Sequence, residues 1–323
     1  MIDLQLGDCL EVMKDIEDES IDCILTDPPY FQIKGDFDFT YESHGEYLDF
    51  MEKCAIEFKR ILKKNGSLYL FAHAKRVAYV QVIFDKYFNL ENNLVWHVID
   101  RQTNRGIAKY RCFAPVTERI LFYSCHNPTK WDKTGLKLVM NDVDNFKSLR
   151  EYFKRVYEFI GKPKKAIMGL VGQRADHAFR YASTQWDLPT IETYQELINC
   201  FGIDKMTGFI EYESLRLEYE SLRRPFNNIH LLTDVIKHSQ ESHISRKFAH
   251  DTVKPLGLIE KLIETSTLKN MVVFDPFLGS GTVAAACLNT NRSFIGIEKD
   301  SEYFDIATKR ISDAKTHVLG GLN

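Results

Sequence analysis

Met271-Val272-Val273-Phe274-Asp275-Pro276-Phe277-Leu278-Gly279-Ser280-Gly281-Thr282 carries a short apolar strand into a glycine-containing turn, and Val283-Ala284-Ala285-Ala286-Cys287-Leu288 continues it as an alanine-rich helix. Strand, glycine turn and helix in that order open a nucleotide-binding α/β unit. Gly279 and Gly281 let the backbone approach a ligand closely. Thr282 is placed to cap the helix, whose positive end faces the same spot. A second strand, Ser293-Phe294-Ile295-Gly296-Ile297, ends in Glu298. In such folds an acid about 20 residues beyond the glycines takes the ribose hydroxyls. No third glycine follows Gly281 and there is no Walker lysine, so an adenosine ligand without a pyrophosphate fits better than NAD or ATP. Asp275 either braces the loop or faces that ligand, and the second is the expectation.

A second feature lies near the other end of the chain. The apolar run Ile21-Asp22-Cys23-Ile24-Leu25 leads into Asp27-Pro28-Pro29-Tyr30. Two consecutive prolines have no N–H to donate and cannot continue a helix, so the chain leaves the strand in a rigid turn. That turn presents one carboxylate, backbone carbonyls and the flat face of Tyr30. Together they can grip a planar ring carrying an exocyclic amino group. Alone, the same tetrapeptide reads equally well as a structural strand-ending turn; its order relative to the glycine element decides for catalysis.

With these elements in view, the chain resembles the S-adenosylmethionine-dependent DNA amino-methyltransferases, most closely the β class, in which the acid-Pro-Pro-Tyr motif precedes the recognition region and the cofactor glycines come last. The resemblance covers residues 1–126 and 231–323. Gly7-Asp8-Cys9-Leu10 looks like the family's small acidic motif, which implies Asp8 and Cys9 near the adenine end of the cofactor. His250-Asp251-Thr252-Val253-Lys254-Pro255 looks like its H-x-T-x-K-P segment, although Asp251 stands where the family usually has proline. Lys254 would then meet the cofactor carboxylate. Phe277, Gly279, Gly281, Thr282, Asp275 and Glu298 complete the implied cofactor set. The resemblance also implies a Rossmann-like α/β sheet that is circularly permuted, because the Asp8 strand opens the chain while the helix that would normally precede it, Glu302–Ala314, nearly closes it. Permutation is tolerated where termini are neighbours at a surface.

The 323 residues, 44% hydrophobic and 27% charged, read as a globular chain of about two domains or one α/β domain with a large insertion. No run of about 18 uncharged apolar residues and no basic-apolar leader is visible, so no membrane partner is expected. Seven cysteines, at 9, 23, 54, 112, 125, 200 and 287, follow no framework and no metal spacing. They read as reduced, mostly buried thiols of a cytoplasmic protein, with no metal site. The net charge of −3 is unusual for a nucleic-acid binder, but residues 97–180 hold 17 Lys and Arg against 8 Asp and Glu. Phosphate contact draws on such local density.

The domains expected are 1–126, a catalytic half with the proline turn; 127–230, a target recognition domain; and 231–323, the cofactor-binding half. Within them, helices are expected at Cys9–Lys14, Tyr47–Lys63 (ended by Asn65-Gly66) and Val77–Phe84, and strands at Ile2–Leu6, Ser67–Ala72, Leu94–Ile99 and Arg119–Ser124, the last two a hairpin with a long basic connection. Residues 31–45 read as a mobile loop beside the active site. In the insertion, Lys147–Lys165 interleaves basic residues with Tyr152, Phe153, Tyr157 and Phe159, and Gln173–Arg180 is again basic. Arg101, Arg105, Lys109, Arg111, Lys164, Lys165 and Arg174 are the expected DNA contacts, against the plainer reading of a solvated face. Tyr212, Leu215, Tyr219 and Leu222 form one helical seam, read as packing, ended at Pro225.

The resemblance implies methyl transfer from S-adenosylmethionine to adenine N6 in double-stranded DNA, with Asp27 and the Pro28 carbonyl accepting the amino protons, Pro29 fixing the turn and Tyr30 stacking on a flipped base. It also implies a homodimer and a cognate restriction nuclease as partners. Cytosine N4 is the nearest alternative; within the family, Ser in place of the first Asp leans to cytosine, and Asp27 leans to adenine. RNA and protein glutamine are further acceptors, for which relatives often carry Asn at that position. A non-catalytic nucleic-acid-binding subunit should have lost the acid or the glycines, and this chain keeps both.

Overall fold

A computed structural model describes residues 1–33, 40–101, 113–125, 145–240 and 253–320. The chain divides into two compact units, Met1–Asn127 with Arg224–Asn323, and Pro128–Arg223. Residues 224–230, expected with the insertion, thus belong to the first unit.

The first unit is built on one sheet of eight strands: β1 (Ile2–Leu6), β2 (Ile21–Thr26), β3 (Leu62–Ala72), β4 (Asn89–Val98), β5 (Thr117–Ser124), β6 (Val235–His238), β7 (Val272–Asp275) and β8 (Ser293–Glu298). Their order across the sheet is β1-β8-β7-β2-β3-β5-β4-β6. From β1 to β3 every pairing is parallel; β5 runs antiparallel to both β3 and β4, and β6 pairs parallel with β4. The first and last strands of the chain lie side by side, with Ile2 opposite Phe294 and Leu6 opposite Glu298. The permuted sheet expected from motif order is therefore present.

Strand alternation separates two cores. On β3, Tyr69 and Phe71 face one way, with Cys23 and Leu25 of β2 and the helices Leu256–Ser266 and Thr282–Asn289. Leu68 and Leu70 face the other way, against the helix His44–Ile61, whose Met51, Cys54, Ala55 and Phe58 recur at the spacing of a single helical stripe. All six residues of β2 are buried, as a strand covered on both faces requires.

The helix expected at 47–63 begins earlier, capped by Ser43 Oγ on the Glu46 amide at 3.1 Å, and passes directly into β3 at Leu62. Asn65-Gly66 does not end that helix. It lies inside β3, where Ile21 opposes Leu62 but Cys23 opposes Ser67, so the intervening residues bulge. The first helix is also shorter than expected, Cys9–Val12, followed by a 3-10 turn over Met13–Asp15.

The second unit is helical over its described residues, with helices Lys147–Ile160, Lys164–Val171, Ile191–Phe201 and Tyr212–Leu222. Its core takes in Tyr152, Phe153, Trp186, Tyr194 and Leu215. The tyrosine-leucine seam is structural: Leu215 is buried, Tyr212 Oη donates to the Pro189 carbonyl at 3.0 Å and Tyr219 Oη to Asp187 at 2.7 Å.

Candidate active site

Parallel strands present their carboxyl ends at one edge of the sheet, and in this chain four adjacent ones end in acid. Asp8 follows β1, Glu298 closes β8, Asp275 closes β7 and Asp27 follows β2. Ligands of open α/β sheets bind outside this edge. A cavity of about 920 Å³ opens there, and all four acids line it together with Pro28, Pro29 and Tyr30. Gly279, Thr282, Phe277, Cys9 and Lys254 line it as well. The two motifs found at opposite ends of the sequence therefore share one cavity.

Each acid is held differently. Asp8 caps the helix Cys9–Val12 through Oδ1 on the Leu10 amide at 3.0 Å, while Oδ2 meets Lys299 at 3.1 Å. Glu298 Oε2 accepts the Gly279 amide at 2.8 Å, and Oε1 accepts the amides of Lys299 and Asp300. This ties the acid of β8 to the glycine turn. Asp275 is buried, its Oδ1 accepting from Thr26 Oγ1 at 2.7 Å and from the Phe277 amide at 3.1 Å. Burial, helped by the charges of Asp27 and Glu298, pushes its carboxyl up to about 7 against the pull of those two hydrogen bonds. The contacts of Asp275 within the chain are those of the loop-bracing reading.

Thr282 does not cap its helix. Gly281 holds the N-cap position at φ +74°, and the Thr282 hydroxyl accepts from Arg310 Nη1 at 2.9 Å. Arg310, which sequence reasoning missed, also donates to the Ser280 carbonyl at 3.0 Å and so braces the glycine turn from the C-terminal helix. A Cβ built on Gly281 would lie 3.1 Å from Ala307 Cβ, in a backbone conformation that side chains disfavour. Glycine is thus required there by close packing of the turn as well as by conformation.

Around the proline turn, the Tyr30 hydroxyl donates to Asp27 Oδ1 and the Lys254 ammonium contacts Asp27 Oδ2. Phe31 and Gln32 follow at φ +59° and +53°, uncommon for non-glycine residues. Phe31 is buried against Tyr47, ring centroids 5.7 Å apart, with Arg76 over its face. That packing pins the chain just past Tyr30. Lys254 Nζ also lies 3.8 Å from Glu118 Oε2 and 3.4 Å from Tyr30 Oη. Burial would push its ammonium down, but Asp27 and Glu118 outweigh that and raise it. Glu118 sits at the start of β5, beside the carboxyl end of β3, with Ala72 opposite its neighbour Arg119. The sequence reading began that strand one residue too late to notice it.

Of the expected DNA contacts, Arg101 donates to Glu118 at 2.9 Å and to the Pro115 carbonyl at 3.1 Å. Lys164 donates to the Phe179 carbonyl at 2.5 Å and lies over the rings of Tyr157 and Tyr181. Lys165 and Arg174 are exposed. Arg105, Lys109 and Arg111, with His250 and Thr252 of the lysine motif and residues 34–39 of the expected loop, lie outside the described residues. Among the described residues no group of His, Cys, Asp or Glu could hold a metal ion.

The profile of a family described as DNA methylase, covering N6 and N4 enzymes, matches residues 21–309 and so spans both motifs and the insertion between them. The chain belongs to the DNA methylase family. Similar curated proteins include the type II methyltransferase M.HpaI of Haemophilus parainfluenzae, 25% identical over 311 residues that cover 94% of this chain and 72% of that protein. Another is the DNA adenine methyltransferase YhdJ of Escherichia coli, 24% identical over 313 residues, 96% of this chain and 82% of YhdJ. Among solved structures, the M1.HpyAVI–SAM complex superposes with a TM-score of 0.52 at 22% identity, covering 96% of this methylase and 99% of that chain. It shares the fold.

Proposed function

We propose that this methylase transfers the methyl group of S-adenosylmethionine to N6 of adenine in duplex DNA, with the base flipped out of the helix. The observation that carries the reading is the shared cavity: the Asp27 turn and the acid-and-glycine edge of β1, β7 and β8 line the same space. The residues present suit the cofactor. Glu298 offers a carboxylate to the ribose hydroxyls, Asp8 stands for the adenine end, Phe277 offers an apolar face, and the acidic lining favours a cation. When bound, the cofactor supplies a methyl group activated on a sulfonium.

The amino nitrogen of adenine is a weak nucleophile because its lone pair is delocalised into the ring. Asp27 and the Pro28 carbonyl accept hydrogen bonds from its two protons, which returns electron density to nitrogen. The rigid proline pair holds both acceptors in fixed relation, so little reorganisation is needed as charge develops. Tyr30, pinned through Phe31 and bonded to Asp27, presents its ring for the base. Asp27 in place of serine supports adenine, and YhdJ is named for that base. Lys165 and Arg174 are surface cations suited to backbone phosphates. The same reading makes the protein cytoplasmic, with a second copy of the chain and a nuclease of matching specificity as its proposed partners.

The test is incubation of labelled S-adenosylmethionine with unmethylated duplex DNA, followed by digestion and mass spectrometry of the nucleosides. N6-methyladenine is the expected product. N4-methylcytosine would overturn the base assignment while keeping the chemistry.

A further inference from the structure

Lys254 and Tyr30 line two cavities at once. Beyond the large one, a smaller cavity of about 330 Å³ is bounded by the same two residues with His73, Arg101, Glu118 and Gln240. In the geometry described, Lys254 occupies one oxygen of Asp27 and the Tyr30 hydroxyl the other. An ammonium on that carboxylate draws charge from the group that must accept a hydrogen bond from the substrate's amino group. It also stands in the wall shared by the two cavities. Asp27 becomes a stronger acceptor if Lys254 steps back, yet a buried ammonium stripped of every carboxylate would be strongly unfavourable.

The neighbourhood provides a second carboxylate. Glu118 is 8% exposed, and its Oε1 is fixed by Arg101 at 2.9 Å, while Oε2 lies 3.8 Å from Lys254 Nζ. Closing that gap to an ordinary hydrogen-bond length of about 2.9 Å is a shift of roughly 1 Å. The rings of Phe71 and Tyr30, 5.1 and 5.7 Å from the ammonium, flank it with their electron-rich faces.

We infer that Glu118 is a positioning residue that takes Lys254 over from Asp27 when the target amino group enters. The inference rests on the methyltransferase reading. No bond is made or broken in the exchange and no proton moves; one ion pair replaces another, and Arg101 keeps Glu118 in place throughout.

Single-turnover and steady-state transfer by the full-length protein, with S-adenosylmethionine and unmethylated duplex DNA, test it. Glu118→Gln is expected to lower kcat by at least about tenfold, as a misplaced group at the reacting centre does, while KM for DNA stays near its wild-type value. At saturating S-adenosylmethionine, adding Lys254→Gln to Glu118→Gln is expected to raise kcat above that of the single variant, because the trapped ammonium is gone, while a lost contact of Lys254 with the cofactor shows only as a higher KM for S-adenosylmethionine. A merely structural Glu118 gives the opposite order, with the double variant slower. Glu118→Asp, which keeps the charge on Arg101 but shortens its reach, is expected to lose kcat in the same way should the glutamine variant fold poorly. Wild-type kcat in either Glu118 variant, or a double variant slower than Glu118→Gln, overturns the role of Glu118. A wild-type protein that transfers no methyl group to DNA overturns the methyltransferase reading along with it.

Discussion

The parallel half of the sheet and the helical unit 128–223 use charged and aromatic residues in opposite ways. At the sheet edge, Asp8, Asp27, Asp275 and Glu298 converge on one cavity from strands far apart in sequence. In the helical unit, several of the basic and aromatic residues of the expected reader serve the fold. Tyr152 and Phe153 are buried, with Tyr152 bonded to Tyr194. Arg150 donates to the carbonyls of Tyr181 and Ser183, Arg180 pairs with Asp176, and Lys164 meets a carbonyl. Motif order located the cavity, whereas composition did not separate the packed residues of the helical unit from the exposed ones. Strand ends have a fixed place in a parallel sheet, whereas a helix offers two faces and composition does not say which is inside.

Truncation separates those two faces with the largest expected effect. Phe153→Ala should cost about 3–5 kcal/mol of stability, the usual penalty for emptying an aromatic site in a core. Phe159, 45% exposed, should tolerate alanine within about 0.5 kcal/mol. Denaturant unfolding of both variants checks the contrast. Equal losses would mean that the helix buries both faces.

The acid edge makes a pH-dependent prediction of intermediate size. Asp275 is held up at about 7, above the unfolded value of about 4. Its folded state therefore binds the proton more tightly, and that share of stability is complete below about pH 4 and lost as pH rises through 7. Asp275→Asn keeps an oxygen for Thr26 and Phe277 but cannot ionise. Its thermal midpoint relative to wild type should rise between pH 5 and pH 8, and a flat difference would show that the carboxyl titrates normally. The smallest effect belongs to the exposed cations. Lys165→Ala should leave stability unchanged and reduce the salt slope of DNA binding by about one.

How much of this was legible follows from separation in sequence. The glycine turn, the proline turn and Glu298 each announce themselves within a dozen residues, and their order implied the permuted sheet. The pairing of Lys254 with Asp27 spans 227 residues, and the bracing of Ser280 by Arg310 links a turn to the face of a helix; no local pattern specifies either. Glu118 was hidden because an acid at the start of an apolar strand ordinarily faces water. The helical unit offered a clearer signal than was taken from it. Leu149, Tyr152, Phe153 and Val156 recur at the spacing of one buried stripe, and all four are buried.

On the proposed function, Asp27 does chemistry at the cavity rather than merely ending a strand. Asp27→Ala, assayed for single-turnover methyl transfer and for duplex DNA binding in the same preparation, tests it most directly. Transfer is expected to fall by about a hundredfold or more, the scale of losing a preorganised polar contact to the reacting group, with DNA binding retained. Transfer at the wild-type rate would contradict it.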